Sequence, residues 1–375
     1  MDNTTKKRKE QHIDIVTKLK PIYRDKCKKY YDSIILIHSA FPGIKYSDID
    51  TTIKFLGYEL SAPIMITGMT GGYAGAIDIN EKLAIIASKS RIAIGVGSQK
   101  PLLESRDNET VKSYKIVREK AYDVPVIGNI GIDSLRKTSI EEIIELLDII
   151  DADALAIHLN PAQELVQPEG NTDFSRDILN IIGQLVKKVN KPVIIKEVGT
   201  GLSMEVVELF YSRGIRYFDV AGSCGTNWIM VEYYRTRGIK KYLAKLLRNW
   251  GIPTPLSVVE ARCTAPNSFI IASGGVWNGL YAVKNIALGA NLVGFARPIL
   301  KILVKHGLEQ AIKYIERYIE SIKAVMFLTG ASSIKELWRI PISLLSPTKD
   351  YITQRGIDIK NYMFLRRTLY ENYVE

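Results

Sequence analysis

Eight short apolar runs punctuate the middle of this chain, and each ends in glycines or polar residues: ITGMTGG (66–72), IAIGVGSQK (92–100), VIGNIG (126–131), LAIHLNPAQE (155–164), VIIKEVGTG (193–201), YFDVAGSCGT (217–226), FIIASGGV (269–276) and LVGFARP (292–298). Runs this short with both faces apolar predict strands buried in a parallel sheet, with polar residues gathered where each strand hands over to a loop. Between them, INEKLAIIASKS (79–90), IEEIIELLDII (140–150), ILNIIGQLVKKV (178–189), MEVVELFYSR (204–213) and YAVKNIAL (281–288) carry apolar residues at helical spacing. Strand and helix therefore alternate about every 30 residues, the period of βαβ units. An α/β fold of the (β/α)8 TIM-barrel type follows, with its chemistry expected on the loops at the C-terminal ends of the strands. The main competitor is a doubly wound open sheet, but its glycine fingerprint sits at the first strand, whereas here the phosphate-type signatures close the series.

Length and composition agree with one large core. A barrel of about 250 residues within 375 residues, 46% of them hydrophobic, leaves an N-terminal extension (1–60) expected to close over the substrate, a barrel (61–323) and a C-terminal extension (324–375). Cys27, Cys224 and Cys263 are an odd, widely spaced set without metal-ligand spacing, and neither a signal peptide nor an apolar stretch of membrane-spanning length appears. A cytoplasmic protein from a reducing compartment, without a membrane partner, is the expectation. Of the net charge of +11, six units fall in residues 1–30, where ten Lys or Arg face four acids. That basic arm lacks the interleaved aromatics of a nucleic-acid surface, so an arm closing over a small polyanion is the sharper reading and a solvated arm the blander one.

The last two strand ends carry the phosphate signature. Gly274 and Gly275 in ASGGV, followed one unit later by GFARP with Ala296 and Arg297, stand where loops seven and eight of a barrel hold a phosphate. The glycines let backbone N–H groups approach an anion, and the helix start adds positive potential; a tight turn alone is the alternative. Thr67, Met69 and Thr70, Ser98 and Gln99, Asn129 and Lys196 occupy other strand ends. These groups suit a flat heteroaromatic ring with carbonyl and N–H edges, and a lysine near its pyrimidine end would stabilise the negative charge of a reduced flavin. Lys196 paired with Glu197 or Asp219 is the structural alternative.

HLNPAQELVQPEG (158–170) is the most specific stretch. His158 and Asn160 alternate on a strand, and after the turn at Pro161 the loop carries Gln163 and Glu164 above it. An imidazole and two amides bind phosphate oxygens, and one carboxylate suffices for Mg²⁺ that keeps its waters and shares the substrate's phosphates. Upstream, RKEQH places Arg8, Lys9 and His12 on a possible helix, where Arg8 and His12 share a face at i,i+4.

RKEQH (8–12), MTGG (69–72), GSQ (97–99), GNIG (128–131), HLNPAQE (158–164), KEVGTG (196–201), DVAGSCGTNW (219–228), ASGGV and GFARP together resemble the type 2 isopentenyl-diphosphate isomerases, FMN-dependent enzymes that interconvert isopentenyl and dimethylallyl diphosphate. The resemblance runs from Arg8 to about Arg339, and HLNPAQE preceded by RKxxH is its most specific part. It implies that Thr67, Met69, Thr70, Ser98, Asn129, Lys196 and Thr226 surround the flavin, with Gly274, Gly275, Ala296 and Arg297 near its phosphate. It implies further that Arg8, Lys9, His12, Ser98, His158, Asn160 and Gln163 hold the substrate, that Glu164 binds Mg²⁺, and that Trp228 and Glu232 border the substrate pocket. Gln163, Lys196, Trp228 and Glu232 are the catalytic candidates, with NADPH as activating reductant and a homotetramer or homooctamer as the assembly. The chain departs from the usual pattern at Lys100 and Trp277, where many members have arginine, and at Cys224, which replaces a glycine.

Moving a double bond requires adding a proton at one carbon and removing one from another, and an alkene is a very weak base. No pocket side chain is an obvious strong acid, so the expectation is that the cofactor does the proton transfer. A flavin oxidase of 2-hydroxy acids would share the late glycine motifs, and an inosinate-dehydrogenase-like enzyme would use Cys224 as a nucleophile. A basic-armed nucleotide-binding module would leave the internal polar cluster without purpose. Residues 345–375, with LRR (365–367), suggest a terminal helix or a subunit contact.

Overall fold

A computed structural model describes residues 3–19 and 24–371, the side chains of residues 3–6, 24–26, 370 and 371 excepted. Of the basic arm, the side chains of Lys6, Lys20, Arg24 and Lys26 lie outside the described residues.

All eight apolar runs become strands: β1 (Ile64–Ile66), β2 (Ala93–Gly95), β3 (Val126–Gly131), β4 (Ala154–Leu159), β5 (Val193–Glu197), β6 (Tyr217–Asp219), β7 (Phe269–Ser273) and β8 (Leu292–Phe295). They pair in parallel and in sequence order, and β8 pairs back on β1 through Gly294 and Met65 to close the barrel. Every residue of β1, β3 and β8 is buried, which is why these runs read as continuously apolar rather than alternating. The helices predicted near 79–90, 140–150, 178–189, 204–213 and 281–288 form at Gly75–Lys89, Ile140–Ile149, Ile178–Lys188, Met204–Tyr211 and Gly279–Ala287. A capping box at Ser139 and Glu142 sets the start of the second of these.

Both ends of the barrel are covered. The hairpin Ile53–Phe55 with Tyr58–Leu60 turns through Leu56 and Gly57, both at positive φ, as a two-residue hairpin turn demands. Its Ile53, Phe55 and Leu60 join Met65, Ile127, Ile194 and Ile271 in one cluster, plugging the barrel. At the other end lies α1 (Asn3–Lys18), whose Val16 packs against Val231 and Leu300. The helix after it, α2 (Arg24–Asp32), is tied to the barrel by a disulfide between Cys27 and Cys224. The partners are 197 residues apart, a pairing that spacing cannot reveal, and Cys263 is the free one. The C-terminal helix Ile359–Glu371 docks on the chain's own barrel, Tyr362 donating to Leu288 O and Arg366 to Ala287 O and Ile340 O.

Candidate active site

A cavity of about 230 Å³ opens at the C-terminal ends of the strands, beneath α1. Thr67, Met69, Thr70, Ser98, Asn129, His158, Asn160, Gln163, Glu164, Lys196, Thr226, Trp228, Gly274, Gly275, Ala296 and Arg297 line it, and α1 adds Arg8, Lys9 and His12. The sequence-predicted residues therefore come together from strands far apart in the chain. Glu232 and Gln99 stand behind the lining; Glu232 is fully buried, with His12 Nε2 donating to its Oε1 at 2.8 Å and Gln163 Nε2 at 3.0 Å.

The HLNPAQE stretch folds differently from the expected loop. Pro161 occupies the first turn of a short helix, α3 (Pro161–Val166), where its missing N–H costs nothing. Gln163 and Glu164 are thus held on helical backbone. Glu164 Oε1 accepts from Asn160 Nδ2 at 2.8 Å and its Oε2 from Asn171 N at 2.7 Å. Burial pushes its pKa up, opposed by those two hydrogen bonds. Among the described residues no group of three or more His, Cys, Asp or Glu is arranged to hold a metal ion.

His158, beside Lys196 on neighbouring strands, has its tautomer set by a neighbour. Asn129 Nδ2 donates to Val96 O at 3.1 Å, which turns Asn129 Oδ1 toward His158 Nδ1 at 2.9 Å. Nδ1 must then carry the proton, leaving Nε2 as an acceptor. Burial, and then the Lys196 charge, pull the imidazole pKa down to about 4. Lys196 Nζ donates to the backbone carbonyl of Glu197 at 2.9 Å and stands 4.0 Å from Asp219, so Asp219 and not the Glu197 side chain is its carboxylate neighbour. The Glu197 carboxylate instead gathers the N–H groups of Val198, Gly199 and Thr200 and shapes that loop.

Other candidate residues make contacts that the sequence did not reveal. Lys9 does not offer a free ammonium: Nζ donates to Gly71 O, Ser98 O at 3.1 Å and Tyr114 Oη at 3.0 Å, and burial beside Arg8 lowers its pKa to about 7. Gln99 points away from the cavity, donating to Leu146 O and accepting from Asn129 N. The Arg297 guanidinium donates to Val16 O and Leu19 O at the C-terminal end of α1. Gly274 and Gly275, at φ 92° and 79°, are required because a Cβ would strike Gly222 O at 2.3 Å and Cys224 O at 1.9 Å. The β6 loop presses on them. Cys224 itself is buried, disulfide-bonded and outside the cavity lining, which removes it as a nucleophile.

Sequence reasoning missed Arg235, Glu169 and Asp133. Arg235, just past α4 (Trp228–Tyr233), donates to Glu232, to Glu169 at 2.7 Å and to Gln11 at 3.0 Å, while Arg8 Nε stands 3.8 Å from Glu169. Opposite-charge i,i+3 spacing of Glu232 and Arg235 was the available signal. Asp133 pairs with Lys100 at 3.2 Å. Desolvation raises the Glu232 pKa, but the His12 hydrogen bond and the nearby charges of His12 and Arg235 outweigh it and hold the carboxyl below its ordinary value. Burial lowers the His12 pKa below its ordinary value, against the pull of Glu232.

Residues 243–343 match the family model described as FMN-dependent dehydrogenase. The chain is 43% identical to the isopentenyl-diphosphate delta-isomerase of Sulfurisphaera tokodaii over 90% of its own length and 92% of that protein. It is 39% identical to the enzyme of the same name from Metallosphaera sedula, over 96% and 98% of the two chains. With the Methanothrix thermoacetophila isopentenyl-diphosphate delta-isomerase it shares 42% identity over 95% and 98%. A flavocytochrome b2 variant with sulfite bound superposes with a TM-score of 0.64 at 16% identity, covering 97% of this chain and 88% of that one. A mandelate oxidase variant with a C4a-OH-FMN adduct does so at 0.63 and 13%, over 89% and 95%. Likeness at that identity speaks for the fold alone.

Proposed function

This chain belongs to the isopentenyl-diphosphate delta-isomerase family, and on that premise we propose that it interconverts isopentenyl and dimethylallyl diphosphate with FMN as its resident cofactor. The observation that carries the reading is one cavity whose wall gathers Thr67, Met69, Thr70 and Lys196, the Gly274–Gly275 turn, and the Arg8, His12, His158, Asn160 and Gln163 cluster. The residues present fit a flavin. Thr70 Oγ1 is buried in that wall with no hydrogen-bond partner among the described residues, and Asn129 and Lys196 face the same space. Thr67, Met69, Thr70, Asn129, Lys196 and Thr226 would hold the ring, and the backbone at Gly274, Gly275 and Ala296 the phosphate.

When bound and reduced, FMN supplies an acid/base able to give a proton to carbon and take one back. The protein's own groups prepare that exchange. Arg8 and His158 face the diphosphate, the latter as a neutral imidazole that protonates when a phosphate oxygen replaces water at Nε2. Glu232 fixes His12 and Gln163 in one geometry, which orients the five-carbon chain. Trp228, edge-on to His12 at a ring separation of 5.1 Å, offers a π face to a developing carbocation. Helix α1 excludes water that would trap such a cation.

Glu164 fits Mg²⁺ only as one ligand among waters and substrate phosphates, because both of its oxygens already accept hydrogen bonds. The reaction is redox-neutral, so NADPH would serve only to keep the cofactor reduced. A homo-oligomeric assembly, tetramer or octamer, belongs to the same proposal. Loading the purified protein with FMN, reducing it and following isopentenyl diphosphate by NMR tests the reading; a reduced, FMN-loaded protein that leaves the substrate intact counts against it.

A further inference from the structure

Strand β8 hands over directly to α5 (Arg297–Thr329), a long helix broken at Gly307, and Arg297 is its first residue. The backbone of Arg297 therefore sits at the phosphate end of the cavity, but its side chain leaves that end. Nε donates to Val16 O at 2.8 Å and Nη2 to Leu19 O at 2.9 Å, and the residue is only 9% exposed. Val16 is in the last turn of α1 and Leu19 just beyond it. These are carbonyls that a helix end leaves without intrahelical donors, at the negative end of its dipole. A planar guanidinium can satisfy two of them at once with charge-assisted bonds.

The middle of α1 is pinned too, by Lys9 on Gly71 O and Ser98 O. Between these two anchors lie His12 and Ile13, with Arg8 just before the first and Val16 at the second, all on the cavity wall. Neither anchor points its charge at the space where a diphosphate would sit. We propose, resting on the isomerase reading, that Arg297 is a positioning residue for the diphosphate substrate: its guanidinium latches α1 shut, so that Arg8 and His12 meet the substrate only while the latch holds. Its backbone serves the phosphate turn, and its side chain serves the lid. One residue thus joins the flavin end of the cavity to the element that covers the substrate.

The test uses the full-length, FMN-loaded protein and its Arg297→Ala and Arg297→Lys variants. Flavin retained after gel filtration, the Kd for inorganic pyrophosphate by calorimetry and hydrogen exchange over residues 8–19 are read in parallel. Arg297→Ala should keep its flavin, bind pyrophosphate about tenfold more weakly and exchange faster over residues 8–19. Arg297→Lys, which keeps the charge but reaches one carbonyl, should fall between the two. Loss of flavin with pyrophosphate affinity and exchange unchanged would return the guanidinium to the flavin phosphate and overturn the proposal, and so would three unchanged readings. If Arg297→Ala does not fold, Arg297→Lys decides alone: an intermediate shift supports the latch and no shift refutes it. Because pyrophosphate and exchange are read without turnover, a protein that shows the latch but fails to isomerise isopentenyl diphosphate would sink the isomerase reading and leave the latch standing.

Discussion

Replacing Glu232 by glutamine probes the network behind the cavity. The carboxylate is fully buried; Oε1 accepts from His12 and Gln163, and Oε2 from Arg235. An amide of the same shape has one acceptor end and one donor end. With its oxygen toward His12 and Gln163, its NH₂ faces the Arg235 guanidinium; flipped, it faces the Gln163 amide donors. Either way a buried donor goes unpaired, at a cost of about 1–3 kcal/mol. Arg235 keeps Glu169 at 2.7 Å, which holds the cost near the middle of that range. About 2 kcal/mol expressed in the transition state is roughly a thirtyfold loss in kcat/KM. Steady-state assay of Glu232→Gln with isopentenyl diphosphate, alongside a thermal melt and the flavin spectrum, reads the three effects separately. A kcat/KM within about twofold of the parent, or a loss that tracks flavin content alone, would refute the claim that Glu232 sets the geometry of His12 and Gln163.

Other outcomes can be checked in the same preparations. Gln163→Ala should lower turnover far more than flavin content, and equal loss of both would mean that the residue does not face the substrate. Removing residues 1–12 should weaken pyrophosphate binding and leave flavin absorbance intact; unchanged affinity would take α1 out of the site. The unfolded chain takes up the His158 proton near its ordinary value of about 6.5, whereas the folded protein does so only at about 4. The stability this histidine contributes is therefore complete above the unfolded value and lost as pH falls across that interval. His158→Asn should flatten the decline in melts over that range, and an unchanged slope would contradict the burial argument. Alkylation of the unreduced, denatured protein should label Cys263 alone and all three cysteines after reduction; three labels at the outset would dismiss the Cys27–Cys224 link.

What was legible in the sequence follows from range. Strands buried on both faces leave continuous apolar runs, and barrel chemistry collects at their ends, so β1 to β8 and most of the cavity lining could be read residue by residue. The helix Asn108–Lys120 went unread because its sequence is largely polar and its start signal is one capping aspartate, Asp107. The lid was half legible. RKEQH showed which side chains share a face, but the anchors of α1 lie 62 and 281 residues away, at Gly71 and Arg297. No local pattern encodes such pairs, and the same holds for Cys27 with Cys224. Motif resemblance put Arg297 on the cavity wall but did not reveal its side-chain bonds to Val16 and Leu19, because a motif records position and not where a flexible side chain points.

The central claim, that the barrel mouth uses reduced FMN to move a double bond, is tested most directly by one NMR time course. Purified protein loaded with FMN is divided into dithionite-reduced and air-oxidised samples, and isopentenyl diphosphate is added to each. Dimethylallyl diphosphate should accumulate in the reduced sample only. A reduced sample with flavin demonstrably bound and isopentenyl diphosphate untouched, or equal conversion in both, would contradict it.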